Sequence, residues 1–400
     1  MKTKCEVCEN PNLAKVLDLG DHPLCDDLVA IADPRICKEY PIKILLCDKC
    51  HTALQSIDVV KEDLFSQTYH YRSRFTADVV SGMESLVKGI ENIVGSVEGK
   101  RVLDVGCNDG SLLDLVHSRG CVTIGVEPTG AITDADKQRH HLFNDFFDLE
   151  TANEIVNGHG IPDIITFTNV FAHIENLPSL LDALAVLIGD ETIVVIENHY
   201  LGSVLDKNQF DTFYHEHPRT YSLKSFLEIA KRLNCQIIDL EFPKRYGGNI
   251  RVSLSKDGNR KNEKIVENLI QRVCEYEEDF YEKFNDMNKF INQWKKEKKL
   301  EILTLTNKFG KLPCKAFPGR AAILMKLLEL DETHISAVYE KPGSMKIGHV
   351  VPGTRIPILS DDELMEMNPK VILNLAWHIE SEIVTYLRDN NVSGQVISII

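Results

Sequence analysis

Tyr214, His215, Glu216 and His217 are consecutive in the segment FDTFYHEHPRTYS, Phe210 to Ser222, and no regular strand or helix turns four neighbours to one side. A loop bordering a polar cleft accommodates them better. Their chemistry is proton transfer: an imidazole near neutral pKa abstracts a proton made acidic by an adjacent carbonyl, a phenol donates to the developing enolate oxygen, and a carboxylate orients the ring. Metal binding is the competing use of such side chains, but H-E-H lacks the i, i+4 histidine spacing of a helical zinc site. Asn169 and His173 in NVFAHI follow directly on a buried-strand pattern. A polar pair there points into the crevice at the carboxyl edge of a sheet; a helix-capping Asn and a surface His are the structural alternative.

DVGCNDG, Asp104 to Gly110, spells a strand, a glycine-rich turn and a helix start, and Glu127 in GVEP follows one βα unit later. That is a geometry for S-adenosylmethionine (SAM). Asp104 closes the strand, Gly106 and Gly110 let the backbone come near the ligand, Cys107 and Asn108 lie in the turn between them, and Glu127 is placed to take both ribose hydroxyls. The turn lacks the full G-x-G-x-x-G of a dinucleotide site, and other βαβ folds carry glycine-rich first turns. Asp145, with Phe146, follows a short apolar stretch where an adenine ring would lie. The paired glycines of YGGNIRV, Tyr246 to Val252, suggest close approach to a ligand or to a neighbouring strand.

Elements that could position these residues alternate as in a doubly wound sheet, with RVLDVG, VTIGVEP, DIITFTNV and TIVVIEN as strands and SLLDLVHSRG as a helix after the first. Ahead of them stand two knuckles, Cys5-x-x-Cys8 and Cys47-x-x-Cys50. Four thiolates at this spacing suit a tetrahedral structural zinc with no position left for chemistry. Between knuckles and sheet runs LFSQTYHYRSRF, where Tyr69, His70 and Tyr71 could pack one domain on the next or project into a cleft at the junction. The chain has 400 residues, 43% of them hydrophobic, and a net charge of -15. It is long enough for two or three domains. The charge argues against nucleic acid as a partner; WKKEKK is better explained as a solvated helix face. No run approaches a membrane span and the start lacks a signal-peptide core, so a cytoplasmic protein is expected. Nothing designates a protein partner.

Taken in order, the two CxxC knuckles, Y-x-Y with Tyr69 and Tyr71, DVGCNDGSLL, GVEPTG, NVFAHI, FDTFYHEH, YGGNIRV and VVPGTRIPI resemble the bacterial nucleotide-sugar C-methyltransferases, which act on ketodeoxysugars. The resemblance spans essentially the whole chain. It implies an α/β fold: a Rossmann-like SAM-binding sheet (residues 73–300), a small N-terminal zinc-binding domain (1–72) and a C-terminal α/β domain that helps hold the sugar nucleotide (301–400). It also implies His217 as base at the carbon next to a 4-keto group, with Tyr214, Glu216, His173 and Tyr71 around the sugar. O-methylation of a sugar or sugar nucleotide would use the same cofactor site and is the alternative. Two stretches depart from the family: KAFPGRAAIL replaces an A-Y-G-A-x-A-K-G type turn, where Arg320 could clasp a phosphate at a helix start, and PLCDDL replaces a small-Asn pair.

Overall fold

The computed structural model describes residues 2–59, 64, 72–75, 77–258 and 263–400. Tyr69, His70 and Tyr71 lie outside them. The apolar, β-branched runs of the middle third, RVLDV, VTIGV, IITFT and IVVIENH, are buried along nearly their whole length, the pattern of parallel strands covered on both faces. They belong to a seven-stranded sheet whose spatial order is Gln236–Glu241, Asn249–Ser255, Ile193–His199, Ile164–Thr168, Arg101–Val105, Val122–Val126 and His141–Phe143. Five strands are parallel; Asn249–Ser255 runs antiparallel to Ile193–His199, and Gln236–Glu241 antiparallel to Asn249–Ser255. Strand order reverses at Arg101–Val105, which pairs with Val122–Val126 on one side and Ile164–Thr168 on the other. Ligand crevices open at the carboxyl ends of strands at such a switch point.

A four-stranded antiparallel sheet flanks this one. Leu13–Pro23, Glu39–Cys47 and Ala53–Gln55 come from the N-terminal region, and the fourth strand, Arg219–Thr220, comes from just beyond Tyr214 to His217. The C-terminal region forms a second, five-stranded sheet, wholly parallel, in the order Ile358–Ser360, Ile335–Glu340, Leu312–Lys315, Val371–Asn374 and Gln395–Ser398. Its own order reverses at Leu312–Lys315. The fold is thus α/β with a Rossmann-like sheet, a small cysteine-bearing N-terminal domain and a C-terminal α/β domain.

The helix Phe280–Phe309 braces all three. It buries Phe280, Phe284, Met287, Ile291 and Trp294, alternating steps of four and three that keep one stripe facing inward. Asn288 Nδ2 donates to the Val16 carbonyl in the N-terminal sheet, and Trp294 Nε1 donates to the Ile399 carbonyl at the far end of the chain. The N- and C-terminal regions also pair directly, Val29–Ala30 against His349–Val350. Among the described residues, no helix is long and apolar enough to cross a membrane.

Candidate active site

At the carboxyl edge of the seven-stranded sheet lies a cleft of about 1440 Å³, larger than the usual ~300–1,000 Å³ of a single-ligand pocket. It has room for two substrates. Each region contributes to its wall: Cys25 and Asp26 from the N-terminal part, Gly106 and Glu127 from the sheet, Arg320 and Lys346 from the C-terminal domain.

One half is built from the turn after Arg101–Val105. Gly106 and Gly110 adopt φ of 72° and 77°, and a Cβ on Gly106 would stand 2.4 Å from a Val170 methyl, one on Gly110 2.8 Å from Ala135 Cβ. These glycines are required by conformation and by protein packing, a different reason from the approach to ligand that the sequence suggests. Glu127 is buried, and its carboxylate accepts the Asn108 N–H at 3.0 Å and the Thr129 N–H at 2.9 Å. Two backbone donors hold it at the cleft wall, where its remaining lone pairs can receive paired hydroxyls. The Asp104 carboxyl accepts from Thr166 Oγ1 at 2.7 Å, and burial pushes its pKa up to about 7 against that hydrogen bond. Asn108 itself bends with φ 50° and accepts the Ser73 N–H at 3.0 Å; Arg74 clasps Asp109. Ser73 and Arg74 are therefore stitched to this turn. Asp104, Gly106, Cys107, Asn108, Glu127 and Asn169 all line the cleft. Asp145 does not: it is exposed over a separate shallow depression, its carboxylate accepting the Phe146 N–H, while Phe146 itself borders the cleft.

The other half gathers histidines. His217 is buried, and its ring lies 4.2 Å from that of Tyr214, 4.6 Å from that of His173 and 5.4 Å from that of His199, centroid to centroid. His217 Nδ1 is 3.1 Å from the Thr212 carbonyl, which can only accept. The proton therefore sits on Nδ1, and Nε2 carries the lone pair. Burial, with His173 and His199 alongside, holds the His217 pKa well below 6.5, so the ring is neutral at neutral pH. Burial likewise brings His173 down to about 4 and His199 to about 3. Tyr214 is held well above its ordinary 10 by burial and then by Glu216; its phenol stays protonated and can donate. Glu216 is buried, and burial followed by the nearby Asp26 carboxylate raises its pKa well above 4.5. The ring orientation expected from a carboxylate is supplied by the Thr212 carbonyl.

The structure thus brings Tyr214, Glu216, His217 and His173 to one wall, with Asn169 at φ 55° beside them. Tyr71 lies outside the described residues. His215 turns away, its Nε2 against the Tyr40 carbonyl at 3.0 Å. Sequence reasoning missed His199, although it ends a buried strand as Asn169 does; the signal was the same polar residue after an apolar run.

The four cysteines of the knuckles converge. Their sulfurs lie within 4.8 Å of one another, with Cys5 to Cys50 and Cys8 to Cys47 both at 3.5 Å. Four sulfurs at ~2.3 Å from a tetrahedral zinc stand ~3.8 Å apart, so the set fits the metal. Asn10 Nδ2 donates to Cys47 Sγ and Thr52 Oγ1 sits 3.0 Å from Cys50 Sγ, the outer hydrogen bonds that orient thiolate ligands.

Residues 5–65 match a zinc binding domain family, residues 74–240 a methyltransferase domain family, and residues 244–400 the C-methyltransferase C-terminal domain family. The chain is 24% identical over 386 residues to the C-methyltransferase NovU of Streptomyces niveus, covering 95% of this chain and 91% of that protein. Among solved structures, it is similar to magnesium protoporphyrin IX methyltransferase from Synechocystis PCC 6803 (14% identity, TM-score 0.34, 44% of this chain and 82% of that one). It is also similar to a SAM-dependent methyltransferase from Archaeoglobus fulgidus (14% identity, TM-score 0.35, 43% and 94%). With a zinc-binding match, a methyltransferase match and a C-methyltransferase C-terminal match in this order along its length, the chain is a SAM-dependent methyltransferase.

Proposed function

We propose that this enzyme methylates the carbon beside the keto group of a nucleotide-linked ketodeoxysugar, through an enolate. The observation that carries the reading is the geometry at one wall of the cleft: His217 with Nδ1 on the Thr212 carbonyl, which leaves its lone pair on Nε2, and the Tyr214 ring tilted against it at 4.2 Å. A base and a donor side by side match the two ends of an enolising ketone. His217 Nε2 takes the proton from the carbon, and the Tyr214 phenol donates to the oxygen as negative charge develops there. The enolate carbon then displaces the methyl from sulfur in line; the C–C bond forms as the C–S bond breaks, and the proton leaves from His217 to solvent. Bound SAM supplies the electrophilic methyl, with Glu127, Asp104 and the Gly106 to Asn108 turn proposed to hold it. Positioning supplies much of the acceleration, because the sulfonium is already reactive.

A depressed pKa makes His217 a weak base. Stabilising the enolate oxygen is therefore indispensable, and the Tyr214 phenol is the donor at hand. A sugar carrying a nucleotide also fits a cleft whose lining includes Lys341 and Lys346.

The test is incubation with SAM carrying a 13C methyl and a panel of nucleotide-linked 4-ketodeoxysugars, read by mass and NMR. Label on the carbon next to the ketone is expected. Label on oxygen would replace the enolate by O-methylation, with His217 deprotonating a hydroxyl. His217→Ala is expected to abolish transfer while SAM still binds; undiminished transfer would remove His217 from the base role.

A further inference from the structure

We infer that Arg320, on the turn that follows Leu312–Lys315 in the C-terminal domain, is a positioning residue for His217: it locks the Asp211–Thr212 turn whose carbonyl sets the imidazole tautomer. The inference rests on the reading of His217 as base. At this turn the sequence, KAFPGRAAIL, departs from its family, and a phosphate clasp is what its Arg suggests. The guanidinium is instead committed inward.

Arg320 Nε lies 3.3 Å from Asp211 Oδ2, and Nη1 donates to Thr212 Oγ1 at 3.1 Å. The Asp211 side chain is 1% exposed and that of Arg320 12%, so solvent screens the pair little. The same Asp211 oxygen accepts Trp377 Nε1 at 3.0 Å, and the Arg320 guanidinium stands 5.7 Å from the centre of the Trp377 ring. Two residues of the C-terminal domain therefore grip one carboxylate. Thr212, held through its hydroxyl, presents its carbonyl to His217 Nδ1. If that carbonyl swings away, nothing selects the Nδ1–H tautomer, and a ring protonated on Nε2 cannot act as base. The turn is short, Phe210–Thr212, and its anchor lies 108 residues further along the chain. Proton abstraction thus depends on the C-terminal domain being seated.

Arg320 also adds positive charge near the base. The groups facing His217 are His173 and His199 from the sheet, Tyr214 and Glu216 from its own loop, and Arg320 with His378 beyond. Of these, the cation of Arg320 depresses the His217 pKa, as do the two histidines. Removing it should raise that pKa.

The experiment compares wild type with Arg320→Gln and Asp211→Asn, as full-length zinc-loaded protein labelled with 15N-histidine. Expected in both variants is a mixed His217 tautomer by ring-nitrogen NMR, with kcat lower by ~10²-fold for a displaced base and SAM affinity unchanged. In R320Q the acid limb of kcat should also move to higher pH. The double variant should be no worse than either single one, since both break the same link. A higher KM for the sugar nucleotide with unchanged kcat, acid limb and tautomer would overturn the inference and make Arg320 a substrate ligand. Should R320Q fail to fold, D211N carries the test alone: its near-isosteric side chain keeps the packing, and an unchanged tautomer there refutes the link. The tautomer reads out without turnover. A shifted tautomer in an enzyme that labels no carbon would therefore leave Arg320 in its role and sink only the enolate mechanism.

Discussion

Gly106 and His217 show how much of this site is decided atom by atom. Alanine at 106 would have to adopt φ near 72° and place a methyl 2.4 Å from Val170. We expect Gly106→Ala to cost about 1–3 kcal/mol in denaturant unfolding and to weaken SAM binding in calorimetry. Adding Val170→Ala should recover part of that loss, the steric part, because the backbone strain persists. Full recovery would show that packing alone demanded the glycine, and a stable, tight-binding G106A would contradict both causes. For His217 the sign of the pH dependence follows from burial. On the proposed reading of His217 as base, the neutral ring is the active form, and its pKa is depressed below 6.5, so rate is lost only as pH falls below the ordinary histidine value. An acid limb in log kcat at or above pH 6.5 would mean that the base is solvated or is another group.

The strand Arg219–Thr220 is the element on which the architecture turns. It leaves the loop that carries His217 and pairs Arg219 with Leu54 and Thr220 with Ala53, completing the cysteine-bearing sheet. Arg219 is fully buried: Nη1 meets Glu6 Oε2 and the Glu175 carbonyl, Nη2 the Ile174 carbonyl, and Nε the Tyr221 hydroxyl. Glu6 sits between Cys5 and Cys8, and Glu175 two residues after His173. One guanidinium thus ties a metal knuckle to both ends of the histidine wall. Removing one partner of a buried pair leaves the other charge unmatched. Glu6 keeps 22% of its side chain exposed, which softens the effect, so Glu6→Gln is expected to cost about 2 kcal/mol in urea unfolding and to lower kcat as well. Unchanged stability would reduce the contact to a surface pair. The sequence showed the strands of the central sheet, the knuckles and the polar residues that follow apolar runs, because those signals are local. It could not show that PRTY would pair with a segment more than 160 residues earlier, nor that Arg320 would reach Asp211 instead of a ligand. Both are non-local, and spacing along a chain carries no information about them. Asp145 failed to reach the cleft lining for the converse reason: a local pattern placed the segment, while its neighbour Phe146 took the inward direction.

Across the whole molecule, two domains grip the loop bearing His217 while a third holds the Gly106 to Asn108 turn. From the N-terminal side, the Cys50 carbonyl accepts Ser222 Oγ at 2.7 Å and Ser225 Oγ at 3.3 Å, Thr52 Oγ1 meets Ser225 Oγ at 2.7 Å, and Gln55 Nε2 donates to the Tyr214 carbonyl at 3.3 Å. From the C-terminal side come Arg320 and Trp377. Glu127 and the Gly106 to Asn108 turn belong to the seven-stranded sheet and make none of these contacts. Zinc binding is folding free energy for a module this small, so removing the metal should release one grip on the loop and leave the sheet intact. We therefore expect a strong chelator to remove about one zinc per chain and most methyl transfer, with SAM affinity in calorimetry preserved and activity restored by zinc. Loss of SAM binding together with the metal would show that the domains fold as one cooperative unit. Full turnover after complete zinc loss would mean instead that the interdomain hydrogen bonds hold the loop without the metal. Retained SAM affinity with lost transfer is the outcome that separates the Glu127 half, folded by its own sheet, from the His217 half assembled by the two domains around it.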